Sequence, residues 1–595
     1  MEYWATIGIA ILTYAVLSVS LNLLFGYIGE LSMATAAFFG IGAYTAAILS
    51  MPPAQSIAGL TLSSGVSGYD LNPWVAGVVG VVLAAVAALI ISVPAVARVR
   101  GESLILLTFS FQLVFSQLLT SMQSVTGGDQ GISGLKPLAI FGHEFTQARQ
   151  AIWFYVVLLI AVVALGMLLG SSPYGRLLRG MRESESAVLS VGKPVIVPKL
   201  LVFSVACGIA GTVGVLQSNY LQSVAPASFD VNVSILVVAA VVLGGAGNIW
   251  GALLGSVILG GLTPVIRNFT ADAHASQWQA IIFGVALFVI IAFRPNGLIP
   301  EGSRFRRGRR PQPELSEATP TPDTAHSRIE VTSESRPVAL AVDAEPILVV
   351  KGLSKRFGGL QAVNDVSFSL PERTITALIG PNGAGKTTIF NLITRAITPD
   401  AGSVTLRGAD ISAMDPREIA IQGMVRSFQD VRVFQKMSAL DNVAVAVPQQ
   451  PGEWAWPLLL RPVSSRRRER EVRDRALDCL SLVGLSKVAQ QPVGSLSFGD
   501  QKLVAIARLI ATDGELLLLD EPTSGVDPGS VEGVIEVIQS LRDIGKTVCL
   551  VEHSLHFVDK LAEHVIFLDQ GRLTAEGSLE ELTSRPDLVT LYFGT

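Results

Sequence analysis

The run Gly380-Pro-Asn-Gly-Ala-Gly385-Lys386-Thr387-Thr388 has the spacing of a phosphate-binding turn. Its glycines let backbone N–H groups curl around phosphate oxygens. The lysine reaches the β- and γ-phosphates, and the hydroxyl that follows it ligates Mg2+. Gly380, Asn382, Gly383, Gly385, Lys386, Thr387 and Thr388 are therefore the candidate nucleotide-binding residues, with Thr387 also a metal ligand. A second signal is Asp520-Glu521, directly after Glu515-Leu-Leu-Leu-Leu519. Carboxylates at the end of a buried strand sit where open α/β sheets bind ligands. Asp520 is expected to hold Mg2+ and Glu521 to polarise an attacking water. Alone, the pair is more commonly a solvated turn. Beside a phosphate-binding turn it is the expected second half of a nucleoside triphosphatase site.

That chemistry needs a strand, a tight turn and a helix. The apolar run Ile375–Ile379 enters the glycine turn as a strand, and Ile389–Ile393 leaves it as a helix. Around this ordinary α/β pattern the composition is unusual. The 595 residues are 50% hydrophobic and only 15% charged, with mean hydropathy +0.51. Soluble domains carry about 25% charged residues, so water cannot be the solvent of the whole chain. The deficit lies in residues 1–300. A net charge of −4 supplies no basic field, so nucleic acid is not an expected partner. Cys207, Cys479 and Cys549 are too dispersed for a disulfide framework or a Cys-rich zinc site. Met1-Glu2-Tyr3-Trp4 lacks the basic start of a secretory signal, so its apolar run is expected to stay as a membrane span.

A spanning helix needs about 20 apolar residues. Runs at 5–25, 33–50, 74–97, 102–121, 151–170, 200–217 and 278–293 qualify. A longer stretch, 233–264, is interrupted by Gly244-Gly245-Ala246-Gly247-Asn248 and reads as two short segments, about nine in all. The break marks either a pathway or re-entrant element or tight packing through small residues. Basic residues gather at Arg98 and Arg100, at Arg176, Arg179, Arg182, Lys193 and Lys199, and from Arg294 to Arg310, whereas loops 51–73 and 218–232 have none. The positive-inside rule makes the basic loops cytosolic, and nine segments then put the N-terminus outside. Residues 301–345, rich in Pro, Ser, Thr, Glu and Arg, read as a disordered tether. Its basic start is either attracted to anionic lipid or a topology signal alone. The expected organisation is a polytopic α-helical membrane domain over 1–300, the tether over 301–345, and a cytosolic α/β P-loop domain over 346–595.

Leu496-Ser497-Phe498-Gly499-Asp500-Gln501-Lys502 opens an apparent helix upstream of the leucine strand. It resembles the signature of ATP-binding cassette (ABC) proteins, usually Leu-Ser-Gly-Gly-Gln. The resemblance implies Ser497 and Gly499 on a γ-phosphate, Phe357 stacked on adenine, and Gln429 sensing Mg2+ and the membrane domain. It also implies Ser524-Gly-Val-Asp527 as the D-loop and His553 as the switch histidine. Glu521, His553 and Gln429 become the catalytic set, and Thr387, Gln429 and Asp520 the metal ligands. Phe498 and Asp500 depart from the usual residues, and a carboxylate at 500 would be repelled by phosphate.

Arg356-Phe-Gly-Gly-Leu-Gln-Ala-Val363, Ser427-Phe-Gln-Asp-Val-Arg-Val-Phe434 and Leu440-Asp-Asn-Val443 are similar to the ATPases of branched-chain amino acid-type importers. Asn22-Leu-Leu-Phe-Gly-Tyr27, Phe38-Phe-Gly-Ile-Gly-Ala-Tyr44, Thr126-Gly-Gly-Asp-Gln-Gly131 and Val242-Leu-Gly-Gly-Ala-Gly247 are similar to their permeases. The resemblance implies a fused permease–ATPase subunit, multi-pass in the inner (plasma) membrane with its cassette in the cytoplasm. ATP and Mg2+ are the implied cofactors. The implied partners are membrane lipid, an extracytoplasmic solute-binding protein, and a second permease and second cassette, as heteromer or homodimer. Loop 176–193 is assigned as a coupling helix docking near Gln429, with a surface helix that only sets topology as the lesser alternative. The expected function is ATP-driven import of a branched-chain amino acid or a related amino acid, amide or organic acid. An exporter half-transporter would extend its spans into the cytosol, for which loops 26–32 and 98–101 are too short. An ATP-gated channel is the other alternative.

Overall fold

The computed structural model describes residues 2–51, 56–57, 60–61, 68–98, 102–140, 143–269, 284–285, 288–289, 292–294, 297–301, 346–450 and 462–585. In the first half, apolar runs form α1 (Glu2–Phe25), α2 (Thr35–Ser50), α3 (Pro73–Arg98), α4 (Glu102–Ser121), α5 (Ala148–Gly170), α8 (Ile196–Leu221), α9 (Val231–Gly244) and α10 (Ile249–Phe269). Two polar helices, α6 (Pro173–Glu183) and α7 (Glu185–Leu189), fill the interval between α5 and α8. Six described segments are long and apolar enough to cross a membrane, α9 being counted with the turn Pro226–Phe229 before it, and two more, α2 and the stretch Ile249–Gly261 of α10, are shorter and apolar. Eight expected segments are thus helices. The ninth, 278–293, and the tether beyond Glu301 lie almost wholly outside the described residues.

Lipid gives no hydrophobic drive between helices, so close approach depends on small side chains. A Cβ on Gly42 of α2 would stand 2.2 Å from the Gly211 carbonyl of α8. The break at 244–248 is a turn of the same kind, since a Cβ on Gly244 would meet the Gly251 carbonyl at 1.9 Å. The Gly247 N–H donates to Asn22 Oδ1 of α1 at 2.8 Å, so the turn packs between helices. The first-turn amides of α2 would be orphaned in an apolar layer. Ser234 Oγ accepts from Ala36 N at 2.9 Å, and Gln112 Oε1 accepts from Ala37 N at 2.7 Å.

The second half contains two sheets. In the antiparallel one, β5 (Ala409–Asp410), β4 (Ala401–Leu406), β1 (Pro346–Phe357) and β2 (Leu360–Pro371) lie in that order. The other orders β6 (Met424–Arg426), β7 (Leu516–Asp520), β8 (Thr547–Val551), β3 (Ile375–Ile379), β9 (His564–Asp569) and β10 (Arg572–Gly577). Its strands are parallel except for the β9–β10 pair. Strands β3, β7 and β8 are buried at every residue, as sheets covered on both faces require. Helix α11 (Lys386–Ile393) follows the glycine turn, α13 (Ala439–Ala446) and α14 (Pro462–Leu482) pack together, and α15 (Phe498–Ile510) precedes β7. Short α12 (Pro416–Ile421) leads into β6.

Candidate functional site

Parallel strands β3, β7 and β8 end at one edge of the sheet, and the chemistry gathers there. After β3 the chain turns through Gly380, Gly383 and Gly385, with φ of 147°, 84° and 97°, which glycine alone adopts without strain. A Cβ at Gly380 would also lie 2.1 Å from the Leu568 carbonyl. The turn feeds the N-terminus of α11, where free amides and the helix dipole favour an anion. Lys386 opens that helix, and its Nζ donates to the Gly380 and Pro381 carbonyls at 2.7 and 3.0 Å. Burial lowers the Lys386 pKa, opposed by Glu521 and Asp520. Asn382 and Gly383 are exposed, while Thr387 and Thr388 are half-buried.

Asp520 ends β7 fully buried. Its Oδ2 accepts from Arg426 Nη2 at 2.8 Å, and Thr387 Oγ1 donates to its Oδ1 at 3.4 Å. Arg426 is itself fixed by Asn391 Oδ1 at 2.7 Å. Burial pushes the Asp520 carboxyl above the usual aspartate range, with Arg426 acting against it. The Thr387 hydroxyl and Asp520 Oδ1 are adjacent hard oxygen donors of the type Mg2+ takes, so these residues fit that ion.

Glu521 follows in the left-handed region, φ 47°, a conformation that costs a non-glycine residue about 1–3 kcal/mol. Two bonds hold it there. Its N–H donates to Val551 O at 3.0 Å, and its carbonyl accepts from Lys502 Nζ at 2.7 Å. The exposed His553 places Nδ1 3.8 Å from Glu521 Oε1. The phosphate turn, Asp520, Glu521 and His553 therefore share one edge. Phe357 stands exposed at the end of β1, with Lys355 Nζ 5.7 Å from its ring centre. Gln429 is exposed after β6. Ser497 caps α15, accepting from Asp500 N at 3.1 Å, and Gly499 is buried beside it. Among the described residues no hydrogen bond joins Ser497 or Gly499 to the phosphate turn of their own cassette.

The sequence reading missed Arg426, Lys502 and Glu552. Glu552 is buried and receives the Thr523 N–H and hydroxyl at 3.1 and 2.7 Å, tying the turn after Glu521 to the strand end carrying His553. An acidic residue next to His553 and directly after a buried strand was a usable signal. Arg426 and Lys502 find partners distant in sequence, which no local pattern reveals.

A second constellation joins the halves. Ser172 caps α6 by accepting from Gly175 N at 3.1 Å, with Pro173 at its first position. Arg176 of α6 is buried against the cassette. Its Nη1 meets Glu469 Oε1 at 2.6 Å, and Nη2 meets Gln450 Oε1 at 2.9 Å and Glu469 Oε2 at 3.0 Å. Phe434 packs on Gly180, and the Glu183 carboxylate accepts from Lys436 N at 3.3 Å. Lys193 Nζ donates to Val447 O at 2.5 Å. Toward the membrane, Arg182 bonds the Gly26 carbonyl and pairs with Glu301 at 2.7 Å. The expected coupling loop is therefore two helices in contact with residues 431–450 and α14.

Comparison with known proteins assigns each half of the chain to a family. Residues 3–291 match the family model of the branched-chain amino acid transport system permease component, and residues 363–524 match that of ABC transporters. The cassette is 40% identical over 252 residues to the high-affinity branched-chain amino acid transport ATP-binding protein LivG of Salmonella typhimurium, spanning 42% of this chain and 99% of LivG. It is 37% identical over 252 residues to the corresponding protein BraF of Pseudomonas aeruginosa, again 42% of this chain and 99% of the relative. A crystallised nucleotide-free cassette from an ABC transporter aligns at 31% identity with TM-score 0.38, over 42% of this chain and all of that one. A nucleotide cradle on one edge, a membrane half that docks on the cassette, the two family matches and the likeness to LivG have one reading: the chain belongs to the ABC transporters of the branched-chain amino acid type, a permease fused to its transport-coupled ATPase.

Proposed function

We propose that this chain imports a branched-chain amino acid, or a related amino acid, amide or organic acid, as the fused permease–ATPase subunit of an inner-membrane importer. The observation that carries the reading is Arg176, a membrane-half cation buried in an ion pair of the cassette. A buried pair holds its partners in one register, because separating them strands a charge. Movement of the cassette therefore moves α6.

ATP binding draws the Lys386 ammonium from the loop carbonyls to the phosphates, and Phe357 stacks on adenine. Glu521 orients the attacking water and takes its proton, while His553 holds the γ-phosphate side. Thr387 and Asp520, with Gln429, would hold Mg2+, which supplies positive charge against the phosphate oxygens. Ser497 and Gly499 form no hydrogen bond with their own phosphate turn among the described residues, and in this reading they complete the site of a second cassette docked head to tail. A second permease, alike or different, completes the pathway, and an extracytoplasmic binding protein delivers the solute. Closure of the two cassettes shifts α6 and switches the permease between outward- and inward-facing states; hydrolysis resets it.

Glu521→Gln removes the proton acceptor and keeps the side chain's shape. ATP affinity is expected to stay within about twofold, while turnover falls by roughly 10²–10⁴, the usual worth of general-base catalysis. Hydrolysis at the wild-type rate would contradict the role given to Glu521.

A further inference from the structure

We infer that Lys502 is a positioning residue that makes the geometry of Glu521 depend on the signature helix of the same cassette. Lys502 lies on α15, whose cap Ser497 and first-turn Gly499 serve the neighbouring cassette's nucleotide under the reading above, on which this inference rests. Its side chain is buried, and its Nζ donates to the Glu521 main-chain carbonyl at 2.7 Å. That carbonyl belongs to the residue held at φ 47°, so the bond fixes the peptide from which the carboxylate projects. Burial lowers the Lys502 pKa, with Glu552 and Glu521 acting against it.

Phe498 extends the link. The ammonium of Lys502 lies 5.5 Å from its ring centre, within cation–π range. The ring also covers Gly525, where a Cβ would come within 2.9 Å. Phe498 stands where the usual signature has glycine, so this chain has an aromatic wedge between α15 and the turn 521–527. A γ-phosphate pulling on Ser497 tilts α15, and Lys502 and Phe498 carry that tilt to Glu521. Each ATP site thereby senses whether the opposite one is filled, without a direct contact between the two nucleotides.

The test is steady-state ATP hydrolysis by the assembled transporter carrying Lys502→Met, Lys502→Arg or Glu521→Gln. The methionine keeps the stem and removes the donor. Lys502→Met is expected to lower kcat at least tenfold with KM for ATP within about threefold, and to bring the Hill coefficient toward one. Lys502→Arg, which keeps a cationic donor, is expected to recover most of kcat. Should Lys502→Met fail to assemble, Lys502→Gln, one atom too short to reach the carbonyl, is measured and expected to show the same split. Wild-type kcat in the donor-less variant, a parallel loss of kcat and ATP affinity, or no recovery with arginine would overturn the role of Lys502. A Glu521→Gln variant that still turns over would instead overturn the catalytic reading beneath it.

Discussion

Lys386 shows how one buried cation sets the behaviour of the nucleotide site. Its surroundings disfavour the ammonium, so the free cassette loses that proton at a lower pH than an ordinary lysine, whose value is about 10.4. Bound phosphates favour the charged form, so affinity depends on the lysine being protonated. KM for ATP is therefore expected to be flat through neutral pH and to rise on the alkaline side, beginning below the ordinary lysine pKa. A KM that stays flat until above about pH 10.4 would contradict this ordering. The cradle residues and the Asp520-Glu521 pair were legible because turn chemistry and strand-end carboxylates are local patterns. The Arg426 bond to Asp520 and the Lys502 bond to the Glu521 carbonyl were not, because tertiary packing alone brings those residues together.

Among elements, α6 and α7 do most to unite the chain. On one side Arg176, Gly180 and Glu183 meet the cassette, and on the other Arg182 reaches the end of α1 and Glu301. Truncating one member of a buried charge pair costs about 2–5 kcal/mol, mostly from the stranded partner. Arg176→Ala is accordingly expected to reduce solute-stimulated hydrolysis at least about tenfold while leaving basal hydrolysis near wild type. The exchange Arg176→Glu with Glu469→Arg is expected to restore part of the stimulation, measured as the ratio of stimulated to basal rate. Equal coupling in Arg176→Ala would remove this pair from the transmission route. Charge and helical propensity marked this loop in the sequence. That Arg176 is buried while Gln429 stays exposed could not be read there, because both depend on where the cassette surface falls. The glycine break at 244–248 was visible as a break. Its part in packing against Gly251 and Asn22 needed three dimensions.

At the scale of the whole molecule, the partition into two solvents was legible from charge density alone. Eight of the expected membrane segments are helices at nearly the expected positions, because a run of apolar residues in lipid has few ways other than a helix to satisfy its backbone. Less legible was how one half grips the other, since ion pairs across an interface leave no periodic trace. The most direct test uses the transporter, with the subunits that copurify with it, reconstituted into vesicles with ATP sealed inside. Radiolabelled leucine and a panel of small amino acids, amides and organic acids are offered outside together with the binding protein. At least one solute is expected to accumulate above its external concentration with lumenal ATP, and none with Glu521→Gln. Equilibration without accumulation, or uptake indifferent to ATP and to Glu521, would contradict ATP-driven import by this chain.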